Sequence, residues 1–190
     1  MTRAAVGMPA RSATRGGRAH RGVVSTALLL LLPAALLFAG RAAVAEPFRI
    51  PSASMSPTLD PGDHVVAGKL AYLVGTPRVG ELAVFESPRD GSVLVKRIVA
   101  LGAQEVEIRD GVLWVDRRRR REPYVDQSRV DGFFFGPVRV PGGAVFVLGD
   151  NRGDSEDSRR LGAIPRDRLI GRVELRIWPP ARAGRPPLER

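Results

Sequence analysis

Cysteine is absent from this 190-residue chain, which excludes disulfide bonds, thiolate metal sites and a cysteine nucleophile. Histidine occurs only as His20 and His64, and neither lies within a catalytic motif. Lysine is almost as scarce, because the chain has only Lys69 and Lys96 against 28 arginines. An arginine keeps its proton in proteins, whereas a buried lysine can lose it. The two lysines are therefore better candidates for a catalytic base than any of the arginines.

Acidic residues are missing from residues 1–45, which carry six arginines. Residues 46–190 carry 24 basic and 20 acidic side chains, so much of the net charge of +10 lies in the leading segment. Since the basic charge is concentrated there and not on a folded face, we expect no nucleic-acid partner.

Residues 23–40 form an uncharged apolar run of 18 residues, close to the ~20 needed to cross a bilayer as a helix. Five arginines precede this run and one follows it, which by the positive-inside rule places the N-terminus in the cytoplasm. We predict a basic, disordered tail over 1–22, a single-pass anchor in the cytoplasmic membrane over 23–45, and a folded domain outside. Ala43-Val44-Ala45 before Glu46 leaves open a cleavable secretory signal instead.

Residues 46–180 contain short β-branched and apolar runs separated by Gly, Pro and Asp, and no long segment with a 3.6-residue period. Glu105 to Arg109 alternates with period two and is followed by Asp110-Gly111, a pair typical of a tight hairpin turn. The pattern predicts one mainly antiparallel β domain with short helical turns and a C-terminal tail over 181–190. The expected strands include residues 65–66, 82–85, 93–99, 105–109, 112–115, 145–148 and 169–177.

Five consecutive arginines, residues 117–121, form the one charge run of this domain. We interpret them as a solvated loop at the end of the second hairpin strand. Attraction to anionic lipid head groups is the alternative, worth about 1 kcal/mol per residue near a membrane surface.

Serines cluster in Pro51-Ser52-Ala53-Ser54-Met55-Ser56-Pro57-Thr58-Leu59, a few residues after the apolar run. Lys96 follows 42 residues after Ser54, within the apolar segment Val93-Leu94-Val95-Lys96-Arg97-Ile98-Val99. A serine hydroxyl needs a base, and lysine can serve where burial lowers its pKa from ~10.4. The pattern suggests a serine–lysine hydrolase. For Lys96 alone, a surface lysine with an apolar stem remains the alternative.

Four segments together resemble the bacterial type I signal peptidases, a family of Ser–Lys proteases. Residues 46–59 resemble the serine-containing segment of that family, and Val95-Lys96-Arg97-Ile98-Val99 resembles its lysine strand. Gly149-Asp150-Asn151-Arg152, continuing to Ser155-Glu156-Asp157-Ser158-Arg159, is similar to its third signature. Ile177-Trp178-Pro179 is similar to its last strand. The likeness extends from the predicted anchor to about residue 179, with the segments in the family's order.

The resemblance implies that Ser54 attacks the scissile carbonyl and that Lys96 acts as the general base. It also implies an oxyanion hole formed by the Ser52 hydroxyl and the Ser54 backbone N–H. Ser155 is expected to orient the lysine amine. The expected activity is endoproteolytic removal of signal peptides from secreted preproteins.

The resemblance further implies structural ion pairs in which Asp150 and Asp157 hold Arg97 and Arg159. We expect no metal at these acids, since no histidine or cysteine accompanies them and they alternate with arginines. No other cofactor is implied.

The family binds its substrate as an added β-strand, here between residues 47–52 and 93–96, with two shallow pockets that accept small side chains at −1 and −3 of the cut. The residues expected to contact substrate are Ile50, Met55, Leu59, Leu94 and Val95. The expected partners are preprotein signal peptides and membrane lipid, and we expect a monomer.

Other functions remain open on the sequence. A specialised relative that matures a single conjugation or pilus protein would carry the same motifs. A membrane-anchored binding protein without activity would also keep this fold. A self-cleaving repressor of the LexA type shares the Ser–Lys chemistry but needs a DNA-binding domain.

The chain departs from the family in the turn after the lysine strand, where Ala100-Leu101-Gly102-Ala103-Gln104 replaces the common Gly-Leu-Pro-Gly-Asp. We expect a remodelled turn without its structural aspartate.

Overall fold

The computed structural model describes residues 44–126, 130 and 133–187. The predicted tail and nearly all of the predicted anchor lie outside these residues. The first strand begins at Ala45, so the end of the expected anchor segment already belongs to the folded domain. None of the helices in the described ranges has the length and apolar character needed to span a bilayer.

The described residues form mainly antiparallel β-structure, as predicted, with all strand pairs antiparallel. Among the described residues after Val44, helical structure is limited to short segments: Leu70–Leu73, Ser158–Leu161 and the 3₁₀ turns Ala53–Met55, Arg166–Arg168 and Pro180–Arg182. The strands are β1 (Ala45–Arg49), β2 (His64–Gly68), β3 (Leu82–Glu86), β4 (Val93–Leu101), β5 (Glu105–Arg109), β6 (Val112–Val115), β7 (Arg118–Arg119), β8 (Phe135–Arg139), β9 (Ala144–Leu148), β10 (Ile164–Pro165) and β11 (Leu169–Trp178).

The strands divide into two sheets. The larger has the order β1-β2-β11-β3-β4-β9-β10, and the smaller has the order β7-β6-β5-β8. The hairpin predicted around Asp110-Gly111 is confirmed, because β5 pairs with β6 and both turn residues have positive φ, 49° and 74°. Positive φ at both central positions is what a type I′ turn requires.

Strand β4 is buried on both faces beyond its first three residues, which explains its nearly continuous apolar sequence. On one face Ile98 belongs to a cluster with Phe85 and Val147. On the other face Val99 belongs to a cluster with Val106 and other residues of the smaller sheet. Lys96 lies at the start of this buried stretch, so the same packing that builds the core also removes its amine from water.

The arginine run differs in part from the predicted loop. Arg118 and Arg119 form β7 at the edge of the smaller sheet, after a second tight turn in which Asp116 and Arg117 have φ of 52° and 63°. Residues 117–119 are exposed, as a solvated segment requires. Charged residues on an edge strand also discourage pairing with other chains.

The expected C-terminal tail is wrong for residues 181–187. Gly184 and Arg176 exchange two backbone hydrogen bonds of 2.8 and 2.9 Å, and Pro186 is buried. The Pro187 carbonyl accepts a hydrogen bond of 3.0 Å from Arg97 Nη1. The composition of this segment, rich in Pro, Gly and Arg, suggested a frayed end. The segment is instead held by its pairing with Arg176 and by the hydrogen bond from buried Arg97 to the Pro187 carbonyl.

The turn after β4 is held by the Gln104 side chain. Ala103 takes a left-handed φ of 72°, and the Gln104 side-chain carbonyl accepts the Leu101 N–H at 2.8 Å. Gln104 Nε2 in turn donates to the Asp116 carboxylate at 2.9 Å. A carboxylate from the next hairpin therefore supports the turn in place of the missing aspartate.

Candidate active site

Ser54 and Lys96 lie side by side although 42 residues separate them in the sequence. Lys96 Nζ is 2.6 Å from Ser54 Oγ, and this contact is buried. Ser54 is 8% exposed and Lys96 is 3% exposed. The surface-lysine alternative for Lys96 is therefore wrong. The distance is within the range for a nucleophile and its general base.

The Ser54 backbone is fixed by the loop after β9. Ser54 belongs to the 3₁₀ turn Ala53–Met55, and its carbonyl accepts the Asn151 N–H at 3.1 Å. Asn151 Nδ2 also donates to the Ala53 carbonyl at 3.2 Å. On the inner side of the turn, Met55 is 1% exposed and packs in the core. The serine hydroxyl is thus carried by a turn that is held from both sides.

Burial lowers the pKa of the Lys96 amine to about 8, chiefly because the charged form is removed from water. The carboxylates of Asp157 and Asp150 oppose this shift, since negative charge favours the ammonium form. The net effect is a lysine that is half deprotonated near pH 8, well below the ordinary range for lysine. Such an amine is available to accept the proton of the Ser54 hydroxyl.

The Ser52 hydroxyl lies beside Ser54 and donates to Ser54 Oγ at 3.2 Å. Ser52 is exposed, so it borders the open side of the site. Its expected part in an oxyanion hole stays a prediction.

Arg97 is completely buried directly after Lys96 and is matched by a carboxylate. Its Nε and Nη2 donate to Asp150 at 2.9 and 2.7 Å, and its Nη1 donates to the Gly80 carbonyl at 2.9 Å. The Arg97 and Asp150 side chains are 0% and 1% exposed. A bidentate pair supplies the geometry that a buried guanidinium needs to offset its lost hydration.

Asp157 and Arg159 form the second expected ion pair, with Arg159 Nε and Nη2 donating at 2.8 Å each. Asp157 is 0% exposed and also accepts the Gly149 N–H at 2.9 Å. It therefore ties the helix Ser158–Leu161 to the loop that follows β9.

Ser155 is next to this loop, but its hydroxyl has no hydrogen-bond partner among the described residues, although it is buried. A Cβ on Gly149 would lie 2.2 Å from Ser155 Oγ and 2.6 Å from the Ser54 carbonyl oxygen. Ser155 therefore packs close to the turn that carries Ser54. Its expected hydrogen bond to the Lys96 amine is not formed in this structure, and its orienting role stays a prediction.

An open groove of about 170 Å³ leads to the dyad between residues 48–52 and 93–96. Four of the five residues predicted to contact substrate line it: Ile50, Met55, Leu94 and Val95. Leu59 does not, because it is 0% exposed and packs in the core with Val65 and Leu82. Its place in a serine-rich motif suggested a binding role, but its side chain anchors the motif from beneath.

Sequence reasoning assigned no role to Glu122, Tyr124 or Arg152, which lie against these loops. Arg152 donates to both carboxylate oxygens of Glu122, and both residues are buried. The Arg97 guanidinium lies over the Tyr124 ring, 3.8 Å from its centroid. For Glu122 and Tyr124 the sequence signal was an acid followed by the apolar segment Pro123-Tyr124-Val125, directly after the arginine run.

Within the described residues, no group of three or more His, Asp or Glu side chains is arranged to hold a metal ion. His64 is exposed at the start of β2.

The family model "Signal peptidase, peptidase S26" matches residues 23–178. The chain belongs to this signal peptidase family. It is 39% identical over 165 residues to the probable signal peptidase I-1 of Synechocystis, covering 83% of this chain and 82% of that one. The resemblance to type I signal peptidases inferred from the sequence is thereby confirmed.

Two further signal peptidase relatives differ in extent. Thylakoidal processing peptidase 1 of Arabidopsis thaliana is 40% identical over 153 residues, which are 75% of this chain and 44% of that protein. This chain thus spans less than half of that relative's length. A crystal structure of a signal peptidase I from Enterococcus faecalis is 30% identical, with a TM-score of 0.47 over 52% of this chain and 97% of that one.

Proposed function

We propose that this chain is a serine endopeptidase that removes signal peptides from preproteins by means of a Ser54–Lys96 dyad. The observation that carries the proposal is the buried 2.6 Å contact between Lys96 Nζ and Ser54 Oγ. Membership of the signal peptidase family supports the substrate class.

In the proposed reaction, neutral Lys96 takes the proton of the Ser54 hydroxyl while Ser54 Oγ attacks the scissile carbonyl. The oxygen of the tetrahedral intermediate is stabilised by the Ser52 hydroxyl and the Ser54 backbone N–H. The Lys96 ammonium then gives its proton to the leaving amine, and an acyl-enzyme remains. Water, deprotonated by Lys96, attacks the ester and releases the signal peptide and free Ser54.

The groove between residues 48–52 and 93–96 suits an extended peptide. The β4 edge facing away from β3 pairs with β9 only from Arg97 onward, so residues 93–96 offer backbone groups to an added strand. Apolar side chains of Ile50, Leu94 and Val95 wall the groove. Such shallow walls favour small residues at −1 and −3, as in an Ala-x-Ala site.

The mechanistic test is cleavage of a preprotein with an Ala-x-Ala site by the full-length protein in detergent. Ser54→Ala should abolish cleavage, whereas Ser56→Ala is the matched control, because its hydroxyl binds Asp60 at 2.7 Å and not Lys96. Equal activity of wild type and Ser54→Ala would refute the dyad. Replacing the −1 Ala of the substrate with a bulky residue should block cleavage. If the wild-type protein failed to cleave the unaltered Ala-x-Ala preprotein, that result would favour a dedicated substrate or a binding role.

We further propose a single-pass anchor with the peptidase domain outside the cytoplasmic membrane, acting as a monomer on membrane-tethered preproteins. The apolar run at 23–40 and the arginine excess before it support this topology. A reporter fused after residue 180 should lie outside, and one fused before residue 20 should lie inside. Recovery of a soluble protein that begins at Glu46 would favour cleavage at Ala43-Val44-Ala45 instead.

A further inference from the structure

A short segment that follows β7 of the smaller sheet reaches the loop after β9 and the strand that carries Lys96. Residues 122–125, the strap, follow β7 and lie in no helix or strand. Even so, Glu122, Tyr124 and Val125 are each only 7% exposed. A loop with this degree of burial must satisfy its polar groups internally, and the partners of these side chains indicate its role.

Glu122 meets Arg152 in a bidentate ion pair. Arg152 Nη1 donates to Glu122 Oε2 at 2.9 Å, and Arg152 Nη2 donates to Oε1. The side chain of Arg152 is 4% exposed and that of Glu122 is 2% exposed. The Tyr124 hydroxyl donates to the same carboxylate at 3.1 Å, so Glu122 is fixed from both sides.

Arg152 transmits this contact to the centre of the site. Its Nε donates to the Gly149 carbonyl at 3.0 Å, while the Gly149 N–H donates to Asp157. Gly149 has no spare room, because even an added methyl would approach Ser54 O within 2.6 Å. The Ser54 carbonyl is itself bound by the neighbouring Asn151 N–H. A displacement of Arg152 therefore moves the loop against which the nucleophile's turn rests.

The strap also reaches the lysine strand. The Tyr124 ring lies 3.8 Å from the guanidinium of Arg97, the residue after Lys96. A cation that is stacked on an aromatic face and paired with a carboxylate is held in one orientation. The strap thus contacts the loop that follows β9, through Arg152, and the strand that carries Lys96, through Arg97.

We infer that Glu122 is a positioning residue that, through Arg152 and Gly149, sets the position of Ser54 relative to Lys96. The inference rests on the proposed peptidase activity. It makes the smaller sheet a mechanical support of the dyad, although that sheet contributes no reacting group.

The test compares kcat, KM and thermal unfolding of full-length wild type, Glu122→Gln and the double variant Glu122→Gln with Arg152→Met. Glu122→Gln leaves a buried guanidinium without its carboxylate, so it should lower both Tm and kcat. The double variant removes the unpaired charge and should recover much of the lost Tm. Its kcat should stay depressed, by up to about 100-fold for a displaced reacting group, because Gly149 still lacks its Arg152 contact.

KM should change little in either variant, since the strap residues do not line the groove. Glu81→Gln is the matched control, because Glu81 is 5% exposed and receives a 2.8 Å hydrogen bond from Arg172 outside the dyad loops. It should lower Tm while kcat of the folded enzyme stays within about twofold of wild type.

Recovery of kcat together with Tm in the double variant would overturn the inference, because Glu122 would then act on stability alone. A kcat within about twofold of wild type in Glu122→Gln would overturn it as well. A wild type no faster than Ser54→Ala would instead refute the proposed peptidase activity, and the inference with it.

Discussion

The loops around Ser54 and Lys96 and the arginine-rich turn beside the smaller sheet place arginines in opposite environments. Arg97 and Arg152, in the larger sheet and its loops, have side chains that are 0% and 4% exposed, and each is paired with a buried carboxylate. In the turn between β6 and β7 the side chain of Arg117 is 86% exposed, and its Nε lies 3.9 Å from the Glu105 carboxylate. A buried charge must be paired, whereas an exposed one is hydrated by water. Buried ion pairs thus hold the loops around Ser54 and Lys96, whereas no buried ion pair holds Arg117.

The two lysines repeat this contrast. Lys69 Nζ pairs with Glu46 at 2.7 Å while a third of its side chain remains exposed. Lys96 is buried beside a serine hydroxyl and its pKa is lowered to about 8. The same amine is therefore a surface cation at one position and a candidate base at the other.

The largest expected effect separates the two lysines. Lys96→Arg should reduce kcat/KM by about 100- to 10,000-fold or more, because a guanidinium keeps its proton and cannot act as a base. Lys69→Arg should leave kcat/KM unchanged, since arginine preserves the ion pair with Glu46. Preprotein cleavage assays on both variants test this contrast, and strong activity in Lys96→Arg would refute lysine as the base.

The pH dependence of the wild type should report the lowered pKa of Lys96. Only the neutral amine is active, so kcat/KM should rise about tenfold per pH unit and level off above pH 8. The folded-state pKa lies below the ordinary value of 10.5, so between about pH 8 and 10.5 the unfolded chain binds more protons. The contribution of Lys96 to stability should therefore rise with pH in that window.

Lys96→Met is the control for the stability experiment and should lack the rise between pH 8 and 10.5. For the kinetic experiment, a midpoint near pH 6.5 that disappeared in His64→Ala would identify histidine as the base and contradict the assignment.

A smaller effect should distinguish the buried ion pairs from the exposed ones. Asp150→Asn leaves Arg97 buried without a counter-ion and should lower the free energy of unfolding by about 3–5 kcal/mol. Glu107→Gln removes the partner of Arg109, whose side chain is 52% exposed, and should lower the free energy of unfolding far less, because water hydrates the exposed guanidinium. Denaturant unfolding measures both values, and similar losses would show that burial does not decide the cost.

Local pattern predicted the fold well where the interactions are local. The alternation of residues 105–109, followed by Asp110-Gly111 and the apolar run 112–115, specified a hairpin, because the turn type is set by the turn residues themselves. Apolar runs likewise predicted β3, β4, β9 and β11. Ser54 and Lys96 were identified through the family motifs and through the scarcity of lysine. Their 2.6 Å separation is a tertiary fact that no local pattern contains.

The misses share a physical cause. Glu122 and Arg152 are 30 residues apart and meet only because the strap, which lies between β7 and β8 in the sequence, packs against the loop that follows β9. Leu59 was assigned to substrate because a motif does not indicate which of its side chains point inward. Residues 181–187 were expected to fray because composition does not reveal that buried Arg97 needs the Pro187 carbonyl.

The smallest effect on stability should come from replacing the exposed arginines of β7, Arg118 and Arg119. Replacing Arg118 and Arg119 together with Gln should change the free energy of unfolding by less than about 0.5 kcal/mol, because both side chains are exposed on an edge strand. Cleavage in detergent should be unchanged.

In anionic liposomes, loss of lipid attraction would cost up to about 1 kcal/mol per arginine, about fivefold in membrane affinity. The ratio of activity in anionic to zwitterionic liposomes therefore distinguishes the two interpretations: an unchanged ratio supports a solvated hairpin, and a reduced ratio supports lipid contact. A loss of several kcal/mol in stability would contradict both and would mean that these arginines, like Arg97, have partners on which the fold depends.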